Sequence, residues 1–300
     1  MIEHPNKPTY NELINHMIDK NISFELITTD EAIQFMKSKN YYFKVTSYRS
    51  NFQKKNGKYQ NLDFGYLIEL AAIDAQLRRY LFEISMNVEH SIKVMMLDVI
   101  QQNESEDAYS IVHKFREKYE DFYEQTLSYL STNSYSKSLY KKHSLNPSIW
   151  VLIELMPFGA LTKFVEFYNS KYTSKKLNVI ASNMKYSKNI RNAVAHSSPI
   201  LINLFNNETF IKNPEAIIST AAIKFGLTRD DIQHAKINDL VALFSLNKIL
   251  TSERALFHSR QNGNKLMERY NRHLDDYFTE VPSIKKFGTI LNQIIDNQVK

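Results

Sequence analysis

The stretch Leu67-Ile-Glu-Leu-Ala-Ala-Ile-Asp-Ala-Gln-Leu-Arg-Arg-Tyr-Leu-Phe-Glu-Ile-Ser-Met-Asn-Val-Glu-His-Ser-Ile-Lys-Val-Met-Met-Leu-Asp-Val99 places apolar residues at Leu67, Leu70, Ala71, Leu77, Leu81, Ile84, Val88, Ile92, Met95, Met96 and Val99. That three-to-four spacing keeps one stripe of a 3.6-residue helix apolar over many turns, and it predicts a single long helix. With 6 Gly and 7 Pro in 300 residues, the chain is poor in the turn formers a β-rich fold needs. The expected fold class is all-α, a bundle of antiparallel neighbours joined by loops.

Other elements follow outward from that helix. Thr9 with Glu12 has the spacing of a capping box ahead of a stripe at Leu13, Ile14, Met17 and Ile18. A second helix is expected from Thr29 or Asp30, then an aromatic and basic segment over 40–48 and a turn at Lys54-Lys-Asn-Gly57. After the long helix come a loop over 103–107, a helix over 108–131, and a polar loop over 132–147. Ile149–Tyr168 should be helical with a break at Pro157-Phe-Gly159. Ser174 is placed to cap a helix that Pro199 must end near His196. Beyond 207, Pro214, Thr228, Ser252 and Pro282 are candidate helix starts. Three regions are expected: an N-terminal helical and basic-aromatic region over 1–62, a helical core over 63–207, and a C-terminal helical region over 208–300 packed on that core.

Composition excludes several functions. The apolar fraction of 43% marks a globular chain. Without cysteine there is no disulfide, thiolate nucleophile or Cys-type zinc site. No apolar run approaches the ~18 residues of a membrane span, and Met1–Pro8 does not read as a signal peptide, so the expectation is a cytoplasmic protein without a membrane partner.

The formal charge of +6 is unevenly spread. Residues 32–62 hold no acid but carry Lys37, Lys39, Lys44, Arg49, Lys54, Lys55 and Lys58. Residues 125–153 hold no acid, with Lys137, Lys141 and Lys142. Residues 167–207 hold none, with Lys171, Lys175, Lys176, Lys185, Lys188 and Arg191. Acid-free tracts of this kind suit a polyanion. Inside the third lies Lys188-Asn-Ile-Arg-Asn-Ala-Val-Ala-His196-Ser-Ser-Pro199. Lys188, Asn192 and His196 share a helix face. Arg191 lies about 140° from His196 on a continuous helix, so the two converge only if the helix loosens before Pro199 or a substrate lies across its end. The same spacing recurs in Arg229-Asp-Asp-Ile-Gln-His234, where two aspartates would neutralise the guanidinium and repel phosphate.

RNA carries its own nucleophile, the 2′-OH. Cleavage needs a base, an acid for the departing 5′-oxygen, and a cation for the charge on phosphorus. Histidine can fill either proton role. Arginine grips phosphate bidentately and keeps its charge, and Asn192 can position the histidine or bond the phosphate. One chain offers one such histidine; a two-fold dimer would supply acid and base together. The chemistry requires no metal or other cofactor.

The motif Arg191-Asn-Ala-Val-Ala-His196 resembles the Arg-x(4–6)-His signature of HEPN ribonuclease domains. Further blocks resemble the Abi family of bacterial abortive-infection proteins (AbiD/AbiF-like): Lys7–Ile14, Asn40–Tyr48, Ile68–Arg78, Val88–Lys93, Ser148–Glu154, Phe158–Lys163 and Ile190–Pro199, in the family's order. The resemblance implies a HEPN-type helical bundle and a homodimeric composite site. It implies an endoribonuclease leaving 2′,3′-cyclic phosphate and 5′-OH ends, used as a toxin-like phage-defence effector and bound to or regulated by a small non-coding RNA. By position it makes Arg191 and His196 the catalytic pair and Asn192 the assisting polar residue; Lys188, on the face of Asn192 and His196, is a supporting candidate read from the spacing. It places Glu89 where the family keeps an acid that can orient Arg191 or His196. Ser197 stands where the family often has an aromatic or second histidine. The alternative is a non-catalytic protein holding a structured RNA.

Candidate RNA contacts are Lys44, Arg49, Lys54, Lys55, Lys58, Lys141, Lys142, Lys175, Lys176 and Lys185. Tyr41, Tyr42, Phe43, Tyr48, Phe52 and Tyr59 interleave with the first of these. Such rings can stack unpaired bases, but Tyr41, Phe43 and Phe52 are expected first of all to pack as core against the long helix. Trp150, after Pro147, is expected to be a core anchor.

Overall fold

Asp63 sets the start of the helix around which the molecule is organised. One carboxylate oxygen accepts from Gly65 N at 2.7 Å, and the other from Ser23 Oγ at 2.8 Å and Glu25 N at 2.7 Å. An N-cap of this kind satisfies an orphan amide of the first turn. In the computed structural model, which describes residues 7–135 and 137–298, the chain forms α1 (Tyr10–Asp19), α2 (Thr29–Ser38), α3 (Tyr42–Ser47), α4 (Phe64–Gln101), α5 (Ser110–Lys118), α6 (Glu120–Thr132), α7 (Lys137–His143), α8 (Ile149–Leu155), α9 (Phe158–Lys171), α10 (Lys175–Ala195), α11 (Ala216–Lys224), α12 (Ala235–Leu250), α13 (Glu253–Asn271) and α14 (Pro282–Asp296). The fold is all-α. Its strands are two-residue pairings: β1 (Ile22–Ser23) runs parallel to β4 (Leu62–Asp63), and β2 (Lys54–Lys55) antiparallel to β3 (Lys58–Tyr59). The β2–β3 turn has Asn56 at φ 52° and Gly57 at φ 78°, the left-handed pair a tight hairpin requires.

Helix α4 spans 38 residues and buries the stripe from Leu67 through Met96. The Thr9–Glu12 capping box closes the start of α1, and a second box, Thr28–Glu31, starts α2. Ser174 caps α10 by accepting from Leu177 N at 3.1 Å. The break at Pro157 separates α8 from α9.

Four expectations need correction. The stretch 108–131 is two helices, because Tyr119 leaves helical geometry at φ −139°, ψ 55°. The polar loop over 132–147 contains the short α7. Thr228 starts no long helix; its hydroxyl and amide bond Asp231 ahead of a 3-10 turn over Asp231–Gln233. Trp150 is no core anchor, being 46% exposed.

The C-terminal region is also more than a layer on a finished core. Helix α12 is buried on every side from Ile237 to Asn247 and packs against both α4 and α10. One apolar cluster runs from Ile14 to Ile295, so the boundaries at 62 and 207 do not separate distinct cores. No helix among the described residues is long and apolar enough to cross a membrane.

Candidate functional site

Helix α10 turns Leu177, Ile180, Met184, Ile190 and Val194 inward. Arg191 follows Ile190, so its guanidinium is carried against α4. There Nη2 lies 3.4 Å from Glu89 Oε2, and Lys93 Nζ lies 3.6 Å from Glu89 Oε1. Glu89 is thus a buried acid, 8% exposed, between two cations. The pairing does not saturate Arg191: its Nε is enclosed by protein and has no acceptor. A buried donor without a partner costs roughly 1–3 kcal/mol.

Helical geometry persists through Ala195, and His196 is the C-cap, its amide donating to Asn192 O at 3.0 Å. The helix does not loosen before Pro199. It closes in a Schellman arrangement, with Ser198 N donating to Ala193 O at 2.8 Å and Ser197 N to Val194 O at 3.1 Å. Ser197 takes the left-handed conformation at φ 55°, where glycine is usual. His196 and Asn192 are therefore exposed at the helix end. Among the described residues neither side chain, nor that of Lys188, has a hydrogen-bonding partner. Within one chain Arg191 faces α4 and His196 faces solvent; convergence needs a substrate lying across the helix end or a second copy.

The segment after His196 is held from several directions. Ile200 N and Leu201 N both donate to Asp74 Oδ1 at 2.7 Å. Tyr48 Oη donates to Asp74 Oδ2 at 2.8 Å, and Arg78 pairs with the same carboxylate. Burial pushes the Tyr48 phenol up to about 12 and keeps it a donor. Asn51 Nδ2 donates to Leu201 O at 2.7 Å, while Lys236 Nζ donates to Ile200 O at 3.0 Å and also to Ile202 O. Burial lowers the Lys236 ammonium to about 8. Asp74, Asn51 and Lys236 were not singled out in the sequence. The available signal was Asp74 and Arg78, an oppositely charged i,i+4 pair on the long helix.

The basic residues are not one cluster. Lys175 and Lys176 occupy the first turn of α10, about 30 Å of helix from His196. Lys54, Lys55 and Lys58 lie exposed on the β2–β3 hairpin, and Lys54 sits 4.6 Å from the centre of the Tyr59 ring. Lys141 and Lys142 end α7. Lys44 is half-buried, and burial followed by the nearby Arg78 lowers its ammonium; Arg49 is also half-buried.

Nor is the acid-free tract over 167–207 uncompensated. Lys185 pairs with Glu215 at 2.8 Å, Lys171 pairs with Glu106, and Arg191 meets Glu89. The acids arrive from distant parts of the chain. In the second Arg-to-His spacing the aspartates do not neutralise the arginine: Asp231 instead holds Thr228 and Lys286. Arg229 bonds Asn213, and His234 lies edge-on to Phe205 and Phe210 with its Nδ1 enclosed and unpartnered. Burial lowers that imidazole.

Two rings depart from expectation. Tyr41 is 62% exposed and Phe43 79%, whereas Phe52 packs as core. Tyr42, Val45 and Thr46 dock α3, which leaves the rings on either side of Tyr42 outside.

The family model described as Abi-like protein matches residues 34–202, more than half of the chain. The chain belongs to that family. The match takes in Asp74, Glu89, Arg191, His196 and the anchored Ile200–Ile202 segment; Lys236 lies outside it. No curated protein and no solved structure matches the chain.

Proposed function

We propose that this protein is a HEPN-type endoribonuclease, a toxin-like effector of abortive infection in phage defence, that works as a homodimer and is bound to or regulated by a small non-coding RNA. One observation carries the reading. Arg191 is stationed on Glu89 with a donor unsatisfied, while an unpartnered His196 ends the same helix on a segment that Asp74 anchors.

Phosphate oxygens would take the free donors of Arg191, and Glu89 fixes the direction of the guanidinium. An imidazole removes the 2′ proton; the 2′-oxygen bonds to phosphorus as the P–O5′ bond breaks, and a second imidazole protonates the departing 5′-oxygen. The products are a 2′,3′-cyclic phosphate and a 5′-hydroxyl. Because His196 faces outward on each chain, a two-fold contact at the end of α10 would bring two imidazoles to one phosphodiester. Asn192, on the same face as His196, can bond a phosphate oxygen.

The test is purified protein with RNA in EDTA beside His196→Ala and Arg191→Ala. Each substitution is expected to reduce cleavage about 100- to 10,000-fold. Products that persist in both would rule out the assignment. The second reading, a protein that holds a structured RNA without cutting it, is favoured by the exposed lysines of the β2–β3 hairpin and of α7; it gives retained RNA and no cyclic-phosphate ends.

A further inference from the structure

Tyr41, the N-cap of α3, and Phe43 in its first turn present two aromatic rings to solvent, while Val45 and Thr46 of the same helix are buried. Leaving a large ring in water forgoes roughly 1.5–3 kcal/mol of burial, so a pair kept outside calls for an occupant. Their surroundings narrow the choice. No acid occurs over 32–62, and Lys39, Lys44 and Arg49 lie on the same segment. A second copy of this chain is a poor fit, because a two-fold contact sets the patch against itself and brings cation to cation. Interface cores also exclude lysine. A polyanion with exposed π-faces satisfies both features.

On its buried side, the segment that carries these rings is tied to the candidate nuclease segment. Tyr48, one residue beyond α3, donates to Asp74, which accepts from Ile200 N and Leu201 N; Asn51 donates to Leu201 O.

We propose that Tyr41 and Phe43 are a stacking platform for unpaired RNA bases, with the exposed Lys39 and the half-buried Lys44 and Arg49 of the same segment meeting phosphate oxygens. This deepens the nuclease reading and rests on RNA being the ligand of that site. The platform selects single-stranded segments, since in a duplex the base faces are covered by their neighbours.

The experiment uses full-length protein carrying His196→Ala, so that bound RNA is not consumed. Fluorescence anisotropy compares a labelled single strand of about 12 nucleotides with the same strand annealed to its complement. The single strand should bind at least about tenfold more tightly. Tyr41→Ala with Phe43→Ala should weaken it about 10- to 100-fold and leave duplex binding unchanged, while Tyr41→Trp with Phe43→Trp should retain affinity. Phe43→Ala alone, with thermal melting as a folding control, decides the matter if the double variant is unstable. Unchanged single-strand affinity in the alanine variants overturns the platform. So does an RNA-free alanine variant that sediments as a smaller species than its parent, which would assign the rings to contact between copies. Cleavage by the unsubstituted protein is scored separately. Ring-dependent binding without products removes the nuclease and keeps the platform; products with ring-independent binding do the reverse.

Discussion

Ser197 is the residue on which the end of α10 turns. A side chain in the left-handed region costs about 1 kcal/mol, and glycine relieves it at the expense of a looser unfolded chain. Ser197→Gly is expected to raise stability by about 0.5–1 kcal/mol in urea denaturation while His196 keeps its place. Asp74 is the opposite case. Its carboxylate accepts two backbone amides and a phenol and neutralises Arg78, all out of water. Asp74→Ala strands these groups and should cost about 3–5 kcal/mol, read as a fall in the urea midpoint. The site was partly legible at this scale. Arg191, Asn192 and His196 stood out by residue type and by the absence of nearby acids. The ion pair of Arg191 was not readable locally, because Glu89 lies 102 positions upstream and reaches it only when α4 and α10 dock. The same holds for Lys185, whose acid is Glu215.

Between elements, the interface of α10 with α12 holds a titrating group. Asp239 of α12 accepts from Asn189 Nδ2 at 3.1 Å, and burial raises its carboxyl to about 7 from an ordinary 3.8. The folded state thus holds its proton over a range where the unfolded chain has released it. Stability from this group is complete below about 4 and is lost as pH rises through about 7. Asp239→Asn should therefore change little at pH 4 and stabilise by about 1–3 kcal/mol at pH 8, measured as urea midpoints across that range. The α13–α14 contact is equally close: a Cβ on Gly263 would stand 2.8 Å from Ile295 Cγ2 and from Tyr80 Oη. Gly263→Ala should cost about 1–3 kcal/mol in the same measurement. Elements with one apolar face were legible, α4 above all, as were ends marked by Ser174 and Pro199. Helix α12 was not: buried on every side, it has no polar face to give it a period. Short α3 hid Tyr41 and Phe43, since an aromatic run reads as core until its docking side is known.

For the whole molecule, charge and assembly decide what is measurable. If exposed lysines on the β2–β3 hairpin and α7 hold RNA, affinity should fall linearly with log salt, by roughly 0.7 per phosphate contacted on a single strand. A flat titration would remove both RNA readings. If two histidines must meet, activity per chain should drop once dilution splits the dimer, and sedimentation with a cleavage assay across the same concentrations checks this.

The fastening of residues 200–202 has a consequence for how the chain matures. Its three clasps come from Asn51, from Asp74 and from Lys236, so the first and the last thirds of the polypeptide must both be in place before it shuts. During synthesis the imidazole emerges from the ribosome some forty residues ahead of the last clasp. A ribosome-stalled fragment ending at 230 carries every side chain of the candidate centre and still lacks the ammonium that completes its geometry.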